Sequence, residues 1–497
     1  MRTWILPLAA GFALNASAEV TFTKEIGPLL HEKCASCHRP GEAGPFSLLT
    51  YEDASRKAKT IVRVVEERSM PPWHAVSGQV PFLHDRRLSE DEIKMMAAWV
   101  EAGMPRGEGA DPVPPRFPEG WTLGEPDIVL TMPEGYPVPA EGSDIYRNFA
   151  LKLRLPEDKW VKAVELRPSA RAVVHHSLFF LDNTGTSLAQ DGKDGKPGFK
   201  GMGFRRAGSL GGYVPGATVQ FLPADYAMAM PKNSDLVLAM HFHPSGKPEI
   251  EKSTVGIYLA DAPPARDLAN LQVPPAFGAG MKINIPPGES NYVVRDSFTV
   301  PVDVDALSVA GHAHYLCREM RMTAKIPGGS EIVLLGIDDW DLNWQDRYIF
   351  EKPVRLPAGT VVESVLRYDN SAENPNNPFS PPQRVRWGHE STDEMGSITL
   401  MVSPAPGQSR EVLAEAAKKA NFEVLGAIAS QPREALTLAL ARRMKGLDVN
   451  GDGAIEAAEI PAIHRQRAMK FDRNADGRLN KEEVQGLLES FRTGEGV

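Results

Sequence analysis

Cys34-Ala35-Ser36-Cys37-His38 has the pattern C-x-x-C-H. Two thiols at that spacing can add to the vinyl groups of a haem. The adjacent imidazole can take an axial position on its iron. The run therefore reads as a c-type haem attachment site. A sixth ligand must come from elsewhere, and Met70 in Ser69-Met70-Pro71-Pro72-Trp73 suits the role. The prolines hold it in an extended loop that a helix cannot claim. A thioether there raises the reduction potential relative to a second imidazole. His31, His74 and His84 are the rivals.

A second chemistry is written in histidine. Six of the twelve histidines fall in three pairs, His175-His176, His241-x-His243 and His312-x-His314. On a strand, residues i and i+2 point to one face. His312 and His314 can therefore grip one metal, and so can His241 and His243. His175 and His176 face opposite ways on a regular strand, so joint ligation requires a bulge or a strand end. Imidazole suits copper and zinc, whereas Met sulfur favours Cu(I). Met395, in Asp393-Glu394-Met395, tilts the reading towards redox copper.

A third chemistry lies near the C-terminus. Asp448, Asn450, Asp452, Ala454, Glu456 and Glu459 fall at the ligand positions of an EF-hand loop, with Gly453 at the turn. Asp472, Asn474, Asp476, Arg478, Asn480 and Glu483 repeat the pattern around Gly477. The reading is two calcium ions, held structurally. Ile455 and Leu479 are placed to join the loops by a short β-bridge.

These residues need scaffolds. With 497 residues the chain calls for several domains. Its net charge of -9 argues against nucleic acid as a partner. There are three cysteines, two of them in the haem motif, so Cys317 has no intrachain partner. Arg2, the apolar run Trp4 to Leu14 and Ala16-Ser17-Ala18 read as a signal peptide over 1–18. The run is too short to span a bilayer, and no later segment is long and apolar enough. A bacterial periplasmic or secreted protein is expected.

Residues 19–105 read as a small helical domain. Ser89-x-x-Glu92 is a capping box. Ile93, Met96 and Val100 share a helix face, Gly103 suits the C-cap and Pro105 stops the helix. A Gly/Pro-rich linker covers 106–124. As a flexible coil its ends would lie about 25 Å apart. From 125 to 405, short β-rich runs between Pro, Gly, Asn and Asp turns indicate an all-β region long enough for two sandwiches, 125–265 and 266–405. Helices are expected at Arg410–Lys419 and Arg433–Met444. They make a helical linker over 406–440, ahead of an EF-hand pair over 441–497.

Residues 19–105 resemble class I cytochrome c domains in motif order and terminal helix. Across 125–405, the order His-His, HFHP, His-x-His, Asp-Glu-Met resembles the copper type II, ascorbate-dependent monooxygenases. That is the family of dopamine β-monooxygenase and peptidylglycine α-hydroxylating monooxygenase. The resemblance implies two jelly-roll-like copper domains flanking an open solvent cleft. It implies an electron-transfer copper on His175, His176 and His241. It also implies an oxygen-binding, substrate-facing copper on His312, His314 and Met395, the catalytic set. The family's disulfides are absent. Ala310 stands where the peptide enzyme has a carboxylate-binding Arg, and Thr399 where it has a substrate-contacting Tyr. A glycine-extended peptide substrate is thus disfavoured. His243 has three open roles: tuning its site from behind, alternative ligation or packing.

The combined expectation is a multidomain chain: a small all-α cytochrome c domain, two all-β jelly-roll-like sandwich copper domains and an α-helical EF-hand pair. Its expected function is a copper-dependent monooxygenase that hydroxylates a C–H bond of a small molecule with O2. The haem, held by Cys34, Cys37, His38 and Met70, would pass on electrons from a periplasmic donor or an ascorbate-like reductant. The alternatives are a non-catalytic copper and haem electron-transfer or copper-binding protein, and an extracellular scaffold.

Overall fold

The computed structural model describes residues 19–497, apart from 77, 79, 119, 143, 202, 205, 217–218, 389, 410, 418, 420–453, 457–458, 461–467 and 494–497. The signal peptide, the helix at 433–444 and the calcium ligands Asp448, Asn450 and Asp452 lie outside the described residues. The chain divides into two compact units, 1–416 and 417–497.

The first unit is built on four principal sheets. One runs Ile145–Leu151, Asp235–Phe242, Val174–Asp182, Gly208–Tyr213 in spatial order. A five-stranded sheet runs Ile128–Thr131, Thr254–Leu259, Lys159–Arg167, Tyr226–Met230, Arg266–Asp267. These two share an apolar core that includes Phe149, Phe179, Leu181, Leu238, Phe242, Val161, Leu166 and Ile257. Each such side chain contributes about 1.5–3 kcal/mol on burial.

A third sheet runs Ala269–Val273, Gly396–Pro404, Val304–Ala313, Arg347–Leu356. The fourth runs Tyr292–Thr299, Val361–Tyr368, Cys317–Lys325, Glu331–Ile337. Alternation explains them: in Val361–Tyr368 the residues Val362, Ser364, Leu366 and Tyr368 are buried and their neighbours less so.

The N-terminal helices follow equally local rules. Tyr51–Glu66 starts where the Thr50 hydroxyl accepts the Asp53 N–H. It buries Ala54, Ala58, Ile61 and Val65 along one stripe. Glu90–Glu101 has the expected capping box from Ser89 and Glu92. Gly103, with φ +82°, follows it.

The expected fold class is corrected here. The protein is mostly β, 34 % strand against 17 % helix, in a four-sheet arrangement. Among the described residues there is no free-standing all-α cytochrome domain beside two sandwiches. The helices over 22–101 belong to the same compact unit as the sheets. The physical reason is the stretch between the last two of them. Ala75 bridges Ile337 and Phe82 bridges Phe350, so this stretch joins the sheets as an added edge. The Phe82 and Phe350 rings stack at 5.5 Å. The half-buried Arg86 guanidinium pairs with Asp346 and donates to the carbonyls of Gly216 and Pro72. No described helix is long and apolar enough to cross a membrane.

In the second unit, Ile455–Glu456 pairs antiparallel with Arg478–Leu479, placing Ile455 opposite Leu479. The helix Lys481–Thr493 follows.

Candidate metal centres

His175 and His176 sit at the start of Val174–Asp182, paired antiparallel with Asp235–Phe242. Val174 faces Phe242 and His176 faces His241, so His175 is the extra residue of a bulge. That bulge lets two successive imidazoles turn to one side, which a regular pleat forbids. His176 Nδ1 lies 3.2 Å from His175 Nδ1 and 3.4 Å from His241 Nδ1. One nitrogen from each of the three rings falls within 4.8 Å of the others, so the trio could hold a metal ion.

The surroundings prepare these nitrogens. His241 Nε2–H donates to Asp144 Oδ2 at 2.8 Å, leaving Nδ1 for the cluster. Tyr146, the cross-strand partner of His241, stacks on its ring at 4.3 Å. Burial lowers His175 to about 4, with the neighbouring His241 adding to it. Burial also pushes His176 well below its usual 6.5. Both are therefore neutral at pH 7, as ligation requires. His243 lies outside the trio. It is 63 % exposed and donates from Nδ1 to Asp144 Oδ1 at 2.7 Å. Burial raises Asp144, but the hydrogen bonds from His241 and His243 prevail and hold it at about 2.

The second cluster sits at the end of Val304–Ala313. His312 Nδ1–H donates to Gln345 Oε1 at 2.6 Å, and His314 Nδ1–H donates to the Asp393 carbonyl at 3.1 Å. These bonds fix the tautomer of each ring, with the proton on Nδ1. The ring centroids are 5.6 Å apart. Ala313 pairs with Gly396, so Met395 precedes that strand at the end where His314 leaves its own. Met395 is buried. Between them, the buried Glu394 carboxylate accepts the backbone N–H groups of His314 (2.7 Å), Met395 (2.9 Å) and Leu316 (3.0 Å). Burial pushes Glu394 up to about 8 against the pull of those three donors.

The two clusters adjoin. Tyr315, next to His314, lies within electrostatic reach of Asp144, and His312 within reach of His176. Tyr146, on the first cluster, lies within electrostatic reach of Tyr315. Cys317 is buried and free.

Cys34, Cys37 and His38 lie in one turn after the helix Gly27–Lys33, with the Cys37 and His38 N–H groups donating to the Cys34 carbonyl. Both thiols are free, and burial pushes Cys34 up to about 12. His38 Nδ1–H donates to the Phe46 carbonyl at 3.1 Å, leaving Nε2 for an axial bond. Two free thiols and an oriented imidazole are the donor set that a covalently attached haem would use. Met70 is 41 % exposed, with its N–H on the Val64 carbonyl. The turn docks on the first sheet's surroundings. A side chain at Gly216 would meet the Cys37 sulfur at 2.5 Å, and Glu42 pairs with Arg171 at 2.8 Å.

In the second acidic loop, Asp472 accepts the N–H groups of Asp476 and Gly477, and Asp476 accepts that of Arg478. Glu483 accepts those of Arg473, Asn474 and Asn480. These bonds gather the carboxylates of Asp472, Asp476 and Glu483 on one loop, with Asn474 and Asn480 between them. Of the first loop, Ala454, Glu456 and Glu459 are described. Glu459 accepts the Glu456 N–H at 2.9 Å.

Sequence reasoning missed Asp144, Tyr146, Tyr315, Glu394 and Gln345. Asp144 lies far in sequence from the histidines it holds, and only strand register brings it to His241. Glu394 had a signal, since it sits inside the Asp-Glu-Met tripeptide.

No family model matches the chain, and no curated protein matches it. Among solved structures, PNGF-II is similar at a TM-score of 0.25 and 10 % identity, covering 56 % of this chain and 65 % of that one. Infectious bursal disease virus Gx strain gives a TM-score of 0.17 at 8 % identity, covering 57 % and 74 %. Paenibacillus xanthan lyase gives 0.16 at 10 % identity, covering 55 % and 24 %. These likenesses are too weak to bear on fold or function.

Proposed function

We propose that this protein is a copper-dependent monooxygenase that uses O2 to hydroxylate a C–H bond of a small molecule, with a covalently attached haem as its electron store. The observation that carries this reading is the pair of adjoining imidazole clusters. His175, His176 and His241 converge within 4.8 Å. Beside them, His312 and His314 have their tautomers fixed at the strand end that Met395 flanks. Copper at these positions supplies one-electron redox chemistry and the reduction of O2, and haem supplies single electrons.

The chain's own residues do the positioning. The bulge at His175 brings three rings to one side. Asp144 fixes the tautomer of His241. Gln345 and the Asp393 carbonyl fix those of His312 and His314. Met395 adds a soft ligand suited to Cu(I). Cys34, Cys37 and His38 would hold the haem, with Met70 as its other axial ligand. The docking of Cys37 against Gly216, three residues beyond the strand paired with Val174–Asp182, supports electron entry at the three-His cluster. Asp472, Asn474, Asp476, Arg478, Asn480 and Glu483 would hold one calcium ion, and the 448–459 loop a second. The haem motif and the expected signal peptide support a periplasmic or secreted location, with a periplasmic or ascorbate-like reductant.

The test is single turnover. The haem is reduced, O2 is admitted, and reoxidation and product are compared between wild type and Met395→Ala. Loss of product in Met395→Ala supports the reading. Equal reoxidation and equal product in the two proteins overturns it. Copper uptake without product in wild type would instead indicate an electron-transfer protein.

A further inference from the structure

Arg347 opens the strand Arg347–Leu356, next to Val304–Ala313. Its cross-strand partner is Ala310, whose other partner is Thr399, which in turn faces Gln272. Partners across a sheet share a face, and so do residues two apart on one strand. Arg347, Ala310, Thr399 and Gln272 therefore form one row on the face that carries His312. The face is partly open: Ala310 and His312 are half-buried between fully buried neighbours, and Arg347 is exposed.

Among the described residues, no carboxylate or carbonyl takes a hydrogen bond from the Arg347 guanidinium. The group reaches instead towards Gly211. A Cβ there would stand 3.2 Å from Nη1 and 3.4 Å from Nη2. Gly211 belongs to the strand paired with Val174–Asp182. Arg347 thus spans from the sheet of His312 to the sheet of His176. Its backbone N–H donates to Asp346, and its guanidinium edges the space between the two sheets, the recess in question. Phe277, whose ring meets His312 edge-on at 4.9 Å, gives that recess an apolar wall.

We infer that Arg347 is the anion-binding, specificity-determining residue of the substrate recess, and that the substrate is a small organic monocarboxylate. This rests on the reading of His312, His314 and Met395 as the substrate-facing centre. A guanidinium matches a carboxylate through two parallel hydrogen bonds. The row holds one cation only, with Ala310, Thr399 and Gln272 beside it, so it matches a single negative charge. Ala310 leaves room for the body of the molecule against Phe277, and the carboxylate on Arg347 fixes which carbon faces His312.

The test is calorimetric titration of the full-length protein, metal-free and copper-loaded. The probes are acetate, butyrate, benzoate and phenylacetate, each with its neutral amide. At least one acid should bind tenfold or more tightly than its amide. Arg347→Gln should weaken that acid about 10- to 100-fold and leave the amide unchanged. Arg347→Lys should restore part of the loss. A panel in which no acid outbinds its amide overturns the proposal, as does an acid preference that survives Arg347→Gln. Copper content, measured on the same samples, reports separately on the metal reading.

Discussion

At the scale of single residues, the decisive features are the partners of the clustered imidazoles. Asp144 accepts from His241 and His243 with both oxygens and also meets Tyr315. An asparagine could accept at one oxygen only and would present an amide donor to the other ring. Removing such an orienting partner typically costs 10- to 100-fold in metal affinity. Asp144→Asn should therefore weaken copper binding at the three-His cluster by about that factor. Copper titration followed by calorimetry measures it, and an unchanged affinity would refute the orienting role. The clustering of His175, His176 and His241 was legible in the sequence, because three close His pairs are few enough to notice. Their partners were not, because hydrogen bonds between distant residues depend on strand register.

At the scale of elements, Val174–Asp182 carries the first cluster and is held at both ends. Its start is the bulge at His175, the device that the sequence demanded if His175 and His176 were to act together. Its end is Asp182, fully buried, which accepts from Thr184 (2.8 and 2.6 Å) and Ser187 (2.7 and 2.7 Å). Burial raises the Asp182 pKa, but the hydrogen bonds from Ser187 and Thr184 win and hold it at about 2. The unfolded chain then binds the proton more readily, so stability increases with pH across the window from about 2 to 3.8. That contribution is complete above the window and lost as pH falls through about 2. Asp182→Ala should lower stability at neutral pH by about 1–3 kcal/mol. It should also flatten the acid-side decline in a series of denaturation curves. An unaltered acid-side profile would contradict it. Periodicity predicted the capped helix ending near Gly103 and the β-rich body. It could not reveal that residues 75 and 82 bridge to the sheets, since an added edge has no pattern of its own.

At the scale of the whole molecule, the helical segment is docked on the sheets rather than simply tethered by the 106–124 linker. Arg86 and Asp346, 15 % and 9 % exposed, form the ion pair at that seam. Removing one partner of such a pair strands the other, at about 3–5 kcal/mol. Arg86→Ala should destabilise the unit spanning 1–416 by that order, read from chemical denaturation, and a change below about 1 kcal/mol would refute the role of the seam. The second unit makes its own prediction. Calcium should release heat on titration and raise the melting temperature, and Glu483→Gln should abolish the contribution of its loop. Absence of both heat and melting shift in wild type would dismiss the calcium sites.

On the proposed function, two copper centres and one haem share a single chain. Metal and haem quantification on the purified full-length protein, with electron paramagnetic resonance of its oxidised state, tests this most directly. Two coppers per haem with two distinguishable signals are expected. His176→Ala should remove one signal and His314→Ala the other. A protein that takes up no copper, or one whose single copper signal survives both substitutions, would contradict it.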